Sequence, residues 1–191
     1  TLLGKTILVM GQGAIGLSFT AMCARSGAKQ IIAVDPLDYR LEYSKQFGAT
    51  SIVNPKSDPL DNVIKDITEG QMPDITIEAG GYPDTLNATL RLVRTFGKVL
   101  IFGFTEGHGL PGHTIAIQEN FLFRRQATII TTAAMATDDP TSHIQNMVTL
   151  KQRGWFDPAD MITHEIKFED VKNAFDMYEN YEDGIIKVVM S

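Results

Sequence analysis

The chain has little cysteine and no excess of positive charge. Cys23 is the only cysteine among 191 residues, so an internal disulfide is excluded and a reducing compartment, the cytoplasm, is expected. Lys and Arg number 17 against 23 Asp and Glu, which gives a net charge of −6 and argues against a nucleic-acid partner. No apolar run approaches the ~20 residues of a membrane span, so no membrane partner is expected.

Metal-binding and catalytic patterns are also missing. The four histidines are scattered, without a pair at ligand spacing and without a neighbouring cysteine: His108, His113, His143 and His164. Zinc sites in proteins are built from such pairs and clusters. We therefore predict no metal site and no catalytic residue within this chain. The lone Cys23 is best interpreted as a small buried hydrophobic residue of the first helix.

Short apolar runs alternate with helical patterns over the first ~130 residues, which predicts a parallel sheet with crossover helices. The expected fold is α/β: a doubly wound, six-stranded parallel Rossmann sheet within three α/β/α layers. Strands are predicted at 6–10, 30–35, 51–53, 74–79, 97–103 and 127–132. Helices are predicted at 14–26, 37–47, 59–69 and 83–94.

A glycine-rich turn follows the first predicted strand. It consists of Gly11, Gln12, Gly13, Ala14, Ile15 and Gly16. In a dinucleotide site the first glycine turns the chain, the second lets the backbone approach a pyrophosphate, and the third packs the helix against the sheet. The amide groups at the start of that helix then face the phosphate charge. The turn is therefore predicted to bind a dinucleotide.

An acid follows the second predicted strand, as the same motif requires. Asp35 stands 19 residues after Gly16, where a carboxylate can accept hydrogen bonds from the adenosine ribose. A negative charge there repels a 2′-phosphate, which favours NAD over NADP. Pro36 could cover one face of the adenine. The alternatives are that Asp35 only caps the next helix and Pro36 is a turn residue. A methyltransferase also places an acid there, although its glycine loop more often lacks the third glycine.

The C-terminal part departs from the strand–helix alternation. We predict two domains, the dinucleotide-binding domain at 1–133 and a C-terminal region of helices and a strand at 134–191. Within the latter, helices are expected near 140–153 and 168–181, and a strand near 185–190. Residues 113–117 alternate polar and apolar side chains, which predicts an edge strand.

Several further motifs, in this order and spacing, make the chain resemble the medium-chain dehydrogenase/reductase family of zinc-type alcohol, polyol and threonine dehydrogenases. They include Gly27-Ala28, Phe47-Gly48-Ala49, Asn54-Pro55, Asp74-Ile-Thr-Ile-Glu78, Gly97-Lys-Val-x-x-x-Gly103 and the closing 162–175 segment. The likeness covers only the cofactor-binding half of such an enzyme. The zinc ligands and proton relay of the family belong to a catalytic half that these residues do not include, so zinc is expected only there.

The resemblance implies further cofactor-binding residues. Ala79, Gly80 and Tyr82 would border the adenosine, and Phe102, Gly103 and Phe104 the nicotinamide. Arg40 would lie beside the ribose, and Lys187 would reach the pyrophosphate. The alternatives are core positions for the two phenylalanines, an i,i+4 ion pair for Arg40, and an exposed lysine on a strand for Lys187. No catalytic role is assigned to Glu78.

The function that these observations predict is that of an NAD(H)-binding domain. Its parent enzyme would be an oxidoreductase that transfers hydride between the nicotinamide and a small alcohol, polyol or carbonyl substrate. The alternatives are a non-catalytic nucleotide-binding module and a zinc-free NADPH quinone reductase; Asp35 argues against the latter. Related dehydrogenases join two cofactor domains at the sheet edge, so a homodimer through 113–117 and the strand near 128–132 is expected.

Overall fold

A computed structural model describes residues 1–104, 110–132 and 139–191. The chain divides into two compact units, Thr1–Ala136 and Thr137–Ser191. Within the described residues, each unit contains one sheet, of six strands in the first and two in the second.

The first unit is built around a parallel sheet. Within its described residues, six strands lie in the order β3-β2-β1-β4-β5-β6. Their bounds are β1 Thr6–Met10, β2 Gln30–Val34, β3 Ser51–Val53, β4 Ile75–Glu78, β5 Lys98–Ile101 and β6 Thr128–Thr131. The strand order reverses between β1 and β4, which is the switch point where doubly wound folds bind ligands. The predicted Rossmann-like fold is confirmed.

Helices follow the strands along the chain. They are α1 Ala14–Arg25, α2 Asp38–Gln46, α3 Leu60–Ile67, α4 Pro83–Leu92 and α5 Glu119–Arg125. The predicted helices α1–α4 and strands β1–β6 agree with these bounds to within two residues at each end. The start of α4 is fixed as its sequence suggests, with Pro83 in the first turn and Asp84 beside it.

Both faces of the sheet are covered, so β1 and β2 are buried and apolar after their first residue. Alternate residues of β1 point to opposite faces. Leu8 packs in a cluster with Ile64 of α3 and Leu92 of α4, whereas Ile7 packs with Cys23 of α1. This arrangement is the three-layer α/β/α sandwich that the sequence predicts. Cys23 is buried, as expected, and its burial raises the pKa of the thiol to about 11.

The predicted edge strand at 113–117 is wrong for the single chain. These residues are irregular, and Ile115 packs instead against the buried cluster that includes Leu86 and Val99. Asn87 of α4 secures the end of the segment, since its Nδ2 donates to the carbonyl of Ala116 at 2.9 Å. A hydrogen bond from a side chain of α4 thus holds this segment in place of strand pairing. The helix α5 that follows was not predicted.

The second unit contains α6 Pro140–Gln152, β7 Ile162–Ile166, α7 Val171–Asn180 and β8 Lys187–Met190, with 3-10 turns at Pro158–Met161 and Phe168–Asp170. The two strands pair in parallel. The two predicted helices and the final strand are present. The additional strand β7 was not predicted.

Candidate functional site

Four loops of the first unit meet at the carboxyl edge of its sheet. The register places Met10 of β1 opposite Val34 of β2 and Glu78 of β4, and Glu78 opposite Ile101 of β5. Because parallel strands end together, the segments that follow them lie side by side. We call these segments, 11–16, 35–37, 79–82 and 102–104, the crevice loops.

The glycine turn is packed too tightly to hold side chains at two positions. Gly11 has a φ of +90°, and a Cβ there would lie 2.9 Å from Cα of Gly80. A Cβ on Gly16 would overlap the carbonyl oxygen of Gly11. Both glycines are therefore required by the turn itself, before any ligand is considered.

Gly13 differs, because a side chain there would meet no atom closer than ordinary contact distance. The nearest non-neighbouring atom that a Cβ on Gly13 would meet is Nη1 of Arg40, at 3.9 Å. Gly13 caps the N-terminus of α1 without a side-chain hydrogen bond. Ala14 and Ile15 form the first turn of this helix, where amide groups have no partner within the helix. The turn thus presents bare backbone at a helix N-terminus, which fits a pyrophosphate.

Gln12 has a structural side chain. It is fully buried, and its amide bridges β1 and α1, with Nε2 donating to Val9 O at 3.1 Å and Oε1 accepting from Thr20 Oγ1 at 3.0 Å. Its backbone N–H donates to Asp35. Any contact of Gln12 with a cofactor would therefore be made by its main chain.

Asp35 links the glycine turn to the second crevice loop. Its Oδ2 accepts from Gln12 N at 2.7 Å, and its Oδ1 accepts from Leu37 N at 2.9 Å. The carboxyl is 2% exposed. Burial raises its pKa, which the hydrogen bond from Gln12, the positive charge of Arg40 and the hydrogen bond from Leu37 oppose. The link to Gln12 is more than capping of α2 requires.

Arg40 lies beside the carboxyl group of Asp35. Its Nη1 is 3.8 Å from Asp35 Oδ2, and its side chain is 16% exposed. The residues four positions away on either side are Pro36 and Ser44, neither of which is acidic, so the alternative of an i,i+4 ion pair has no acidic partner. Arg40 therefore pairs with Asp35 beside the glycine turn. Pro36 is exposed beside them.

The loops after β4 and β5 provide the other wall. Ala79 donates its N–H to Met10 O at 2.9 Å, while Gly80 is half-buried and Tyr82 is 56% exposed. Phe102 stacks edge-on against Phe19 of α1, with ring centroids 5.4 Å apart. Such packing is what the alternative interpretation, a core position for Phe102, leads us to expect. Gly103 is half-buried, and Phe104 is 59% exposed.

Glu78 is the residue of this site that sequence reasoning missed. It is 1% exposed at the end of β4, and its carboxylate accepts hydrogen bonds from the crevice loop that follows. The available signal was the pair of glycines two and three residues later, whose amides can turn back toward a strand-end acid.

Lys187, the remaining predicted site residue, belongs to the second unit. It is the first residue of β8, and its side chain is exposed. Its backbone N–H donates to Thr163 Oγ1 at 3.3 Å. It borders an apolar cavity of about 420 Å³ within that unit, between α6 and the 3-10 turn at 158–161.

The described parts of the chain offer neither a metal site nor a membrane span. Residues 1–104, 110–132 and 139–191 contain no group of three or more His, Cys, Asp or Glu that could hold a metal ion. No helix in these ranges is both long enough and apolar enough to cross a bilayer.

The fold and the crevice loops define a Rossmann-like α/β domain, and comparison with known proteins gives its family. The profile of the family described as "Zinc-binding dehydrogenase" matches residues 14–151. The chain therefore belongs to the zinc-binding dehydrogenase family, as the sequence motifs predicted.

Relatives and solved structures agree with this assignment. An L-threonine 3-dehydrogenase of Shewanella baltica is 29% identical over 190 residues, which are 100% of this chain and 52% of the relative. Benzyl alcohol dehydrogenase from Acinetobacter calcoaceticus matches with a TM-score of 0.86 and 26% identity, over 100% of this chain and 50% of that one. An Escherichia coli oxidoreductase/dehydrogenase of unknown specificity matches with a TM-score of 0.82 and 31% identity, over 98% and 51%.

The chain thus spans about half the length of the curated relatives it matches. This coverage confirms that the chain corresponds to one half of such an enzyme, the cofactor-binding half. The relatives and structural neighbours are dehydrogenases.

Proposed function

We propose that this chain binds NAD(H) in the crevice loops and serves as the cofactor half of an enzyme that oxidises alcohols or polyols, or reduces the corresponding carbonyls. The observation that carries the proposal is the link between Asp35 and the glycine turn. It places a carboxylate beside bare backbone at a helix N-terminus. A dinucleotide needs such a pair, since its pyrophosphate and its ribose diol bind a few ångströms apart.

The glycine turn and Asp35 would bind different parts of the cofactor. The turn from Gly11 to Gly16 admits the pyrophosphate to main-chain contact, and the N-terminus of α1 stabilises its charge. Asp35 accepts from the ribose hydroxyls, because each carboxylate oxygen can accept a second hydrogen bond. Since only 2% of Asp35 is exposed, we expect Arg40 to move when the ribose binds.

The other wall would hold the rest of the cofactor. Ala79, Gly80 and Tyr82 border the adenosine side, and Phe102, Gly103 and Phe104 the nicotinamide side. When bound, NAD(H) supplies the hydride acceptor or donor, and the protein supplies orientation and exclusion of water. Zinc and substrate would be bound by the other half of the enzyme.

The cofactor assignment is tested by comparing affinities for NADH and NADPH. Calorimetry on the 191-residue chain should show tighter binding of NADH, because Asp35 repels a 2′-phosphate. Asp35→Ala should weaken NADH about tenfold by removing a buried acceptor, and should narrow the preference. Asp66→Ala, which removes an exposed acid of α3, is the control and should change neither value. Equal affinities in the wild-type chain would reject the role of Asp35.

We further propose a cytoplasmic homodimer. The cytoplasm suits a chain whose single cysteine is reduced and buried. The dimer is supported by β6, which ends the sheet and whose four residues are all exposed. Ile129 and Ile130 are 39% and 42% exposed there. An edge strand with apolar side chains and unpaired backbone groups favours pairing with a second copy, and residues 113–117 would lie within the same contact.

A further inference from the structure

Glu78 is bonded through its side chain to the loop that follows β4. Its Oε1 accepts from the N–H of Gly80 at 2.9 Å and from the N–H of Gly81 at 2.8 Å. The same oxygen accepts from the hydroxyl of Thr85, in the first turns of α4, at 2.7 Å. A single carboxylate oxygen therefore fixes both the turn after β4 and the start of the following helix.

The main chain of Glu78 is bonded to a different loop. Its carbonyl oxygen accepts from the N–H groups of Phe102 and Gly103, each at 3.0 Å, just after β5. One residue thus connects the adenosine wall of the crevice with the nicotinamide wall.

Little space separates these loops from one another. A Cβ on Gly103 would overlap Oε2 of Glu78 and lie 2.6 Å from Gly81 N. A Cβ on Gly81 would lie 2.7 Å from the carbonyl oxygen of Phe104. Gly11 packs equally closely on Gly80. The crevice loops therefore approach one another closely, with the Glu78 carboxylate against Gly103, and the hydrogen bonds of Glu78 help to set their relative positions.

We propose that Glu78 is the positioning residue of the cofactor crevice, holding the loops after β4 and β5, against which the glycine turn packs, at the separation that an extended dinucleotide requires. This inference rests on the proposed function, that the crevice binds NAD(H). Glu78 acts through the loops and does not itself contact the cofactor. Loss of the Glu78 side chain should therefore lower the affinity for NADH by misplacing the backbone groups that contact the cofactor.

The experiment is a fluorescence titration of the 191-residue chain with NADH. Glu78→Ala leaves two glycine amides without their acceptor and should weaken binding about tenfold or more. Glu78→Gln keeps an acceptor oxygen of the same shape and should stay within about threefold of wild type. This ordering is expected if the hydrogen bonds, rather than the charge, position the loops.

A milder pair of variants keeps the test valid if Glu78→Ala does not fold. Thr85→Val keeps the shape of the side chain but removes the hydroxyl that donates to Glu78 and that accepts from the N–H of Tyr82 at 3.1 Å. It should weaken NADH binding severalfold, on the order of the loss of one or two partly buried hydrogen bonds. Thr85→Ser retains the hydroxyl and should restore wild-type affinity.

Thr76→Val is the matched control for stability. Thr76 lies on the same strand, is fully buried, and donates to Thr89 O at 3.0 Å on the side of α4. Its loss should lower the melting temperature as Thr85→Val does, while leaving NADH affinity unchanged. If Glu78 had only a structural role, Thr76→Val and Thr85→Val would weaken NADH binding to a similar extent.

The possible outcomes separate the two proposals. If wild-type chain does not bind NADH, the proposed function fails and this inference fails with it. If wild type binds NADH, the positioning role alone is overturned when Glu78→Ala binds as wild type does. It is also overturned when Thr85→Val binds no more weakly than Thr85→Ser, both as wild type does. The positioning role is overturned in the same way if Thr76→Val weakens NADH as much as Thr85→Val does. The role is supported if affinity follows the presence of the acceptor and the hydroxyl.

Discussion

Gly13 and Gly16 belong to one motif but meet different physical demands. Gly16 is buried, and the atoms that exclude a side chain there belong to the turn itself. Gly13 has ordinary backbone angles, with φ −68° and ψ −175°, and a Cβ there would meet only Arg40 Nη1, at the ordinary contact distance of 3.9 Å. At the residue scale, one glycine is needed for folding and the other is available for a ligand.

Alanine at each position should separate these demands. Gly16→Ala should lower the free energy of unfolding by about 3 kcal/mol, because the methyl group overlaps the Gly11 carbonyl. Gly13→Ala should change stability by less than about 0.5 kcal/mol, yet weaken NADH about tenfold by filling the space that the pyrophosphate approaches. Urea unfolding and NADH titration of both variants make the comparison. A Gly13→Ala chain that binds NADH as wild type does would contradict the assigned cradle.

Asp35 makes a prediction about pH. Burial raises the pKa of its carboxyl above the ordinary 3.8, so the folded chain holds this proton to higher pH than the unfolded chain does. Its contribution to stability is complete below 3.8 and is lost as the pH rises through the raised value. The side chain of Asn does not ionise, so the Asp35→Asn variant should not lose this stability as the pH rises.

The measurement is urea unfolding of wild type and Asp35→Asn between about pH 4 and about pH 7. The free energy of unfolding of wild type, minus that of Asp35→Asn, should fall as the pH rises and then level off. The favourable charge of Arg40 acts only on the ionised carboxyl and is already included in the net raised pKa, so it does not change the sign of the slope. A difference that is constant with pH, or that shifts toward wild type, would show that the pKa is not raised.

The sequence identified Asp35 and not Glu78, for a physical reason. Asp35 is one part of a motif whose spacing reflects the size of a dinucleotide, so its position could be predicted from Gly11 and Gly16. Glu78 is bonded to the loop of its own strand and to a loop more than twenty residues further along the chain. Such a long-range main-chain contact leaves no spacing to recognise.

At the scale of elements, β6 is the exposed edge on which the homodimer proposal depends. Ile130→Lys places a charge on that edge, which should disfavour pairing with a second copy. Light scattering at micromolar concentration should show a dimer for wild type and a monomer for this variant. Ile144→Lys, a matched change at an exposed isoleucine of α6, should leave the dimer intact. A wild-type monomer, or a dimer unaffected by Ile130→Lys, would reject the interface.

The elements were predictable where burial produces a pattern. Strands β1 and β2 are apolar after their first residue because helices cover both of their faces, and Pro83 and Asp84 mark the start of α4. The pattern fails where burial is slight: α5 has no buried residue, and the alternation at 113–117 reflects one inward contact by Ile115 rather than a strand. Strand β7 pairs with β8 more than twenty residues away, and its short 162–166 run does not predict that pairing.

At the scale of the whole molecule, the first unit offers two opposite edges of one sheet. The crevice loops occupy the carboxyl edge. The amino edge has a polar cavity of about 360 Å³, bordered by Thr6, Gln30 and Ser51 at the starts of β1, β2 and β3. Doubly wound folds bind ligands at the carboxyl edge, so these two edges provide an internal comparison for locating the cofactor.

The most direct test is an amide proton–nitrogen correlation spectrum of the 191-residue chain, recorded with and without NADH. We predict that the amide signals of Gly13, Gly80 and Gly103 shift on binding, while those of Thr6, Gln30 and Ser51 stay in place. Signals that do not move at saturating NADH, or that move only at the amino edge, would contradict the claim that this chain binds a nicotinamide dinucleotide in its crevice loops.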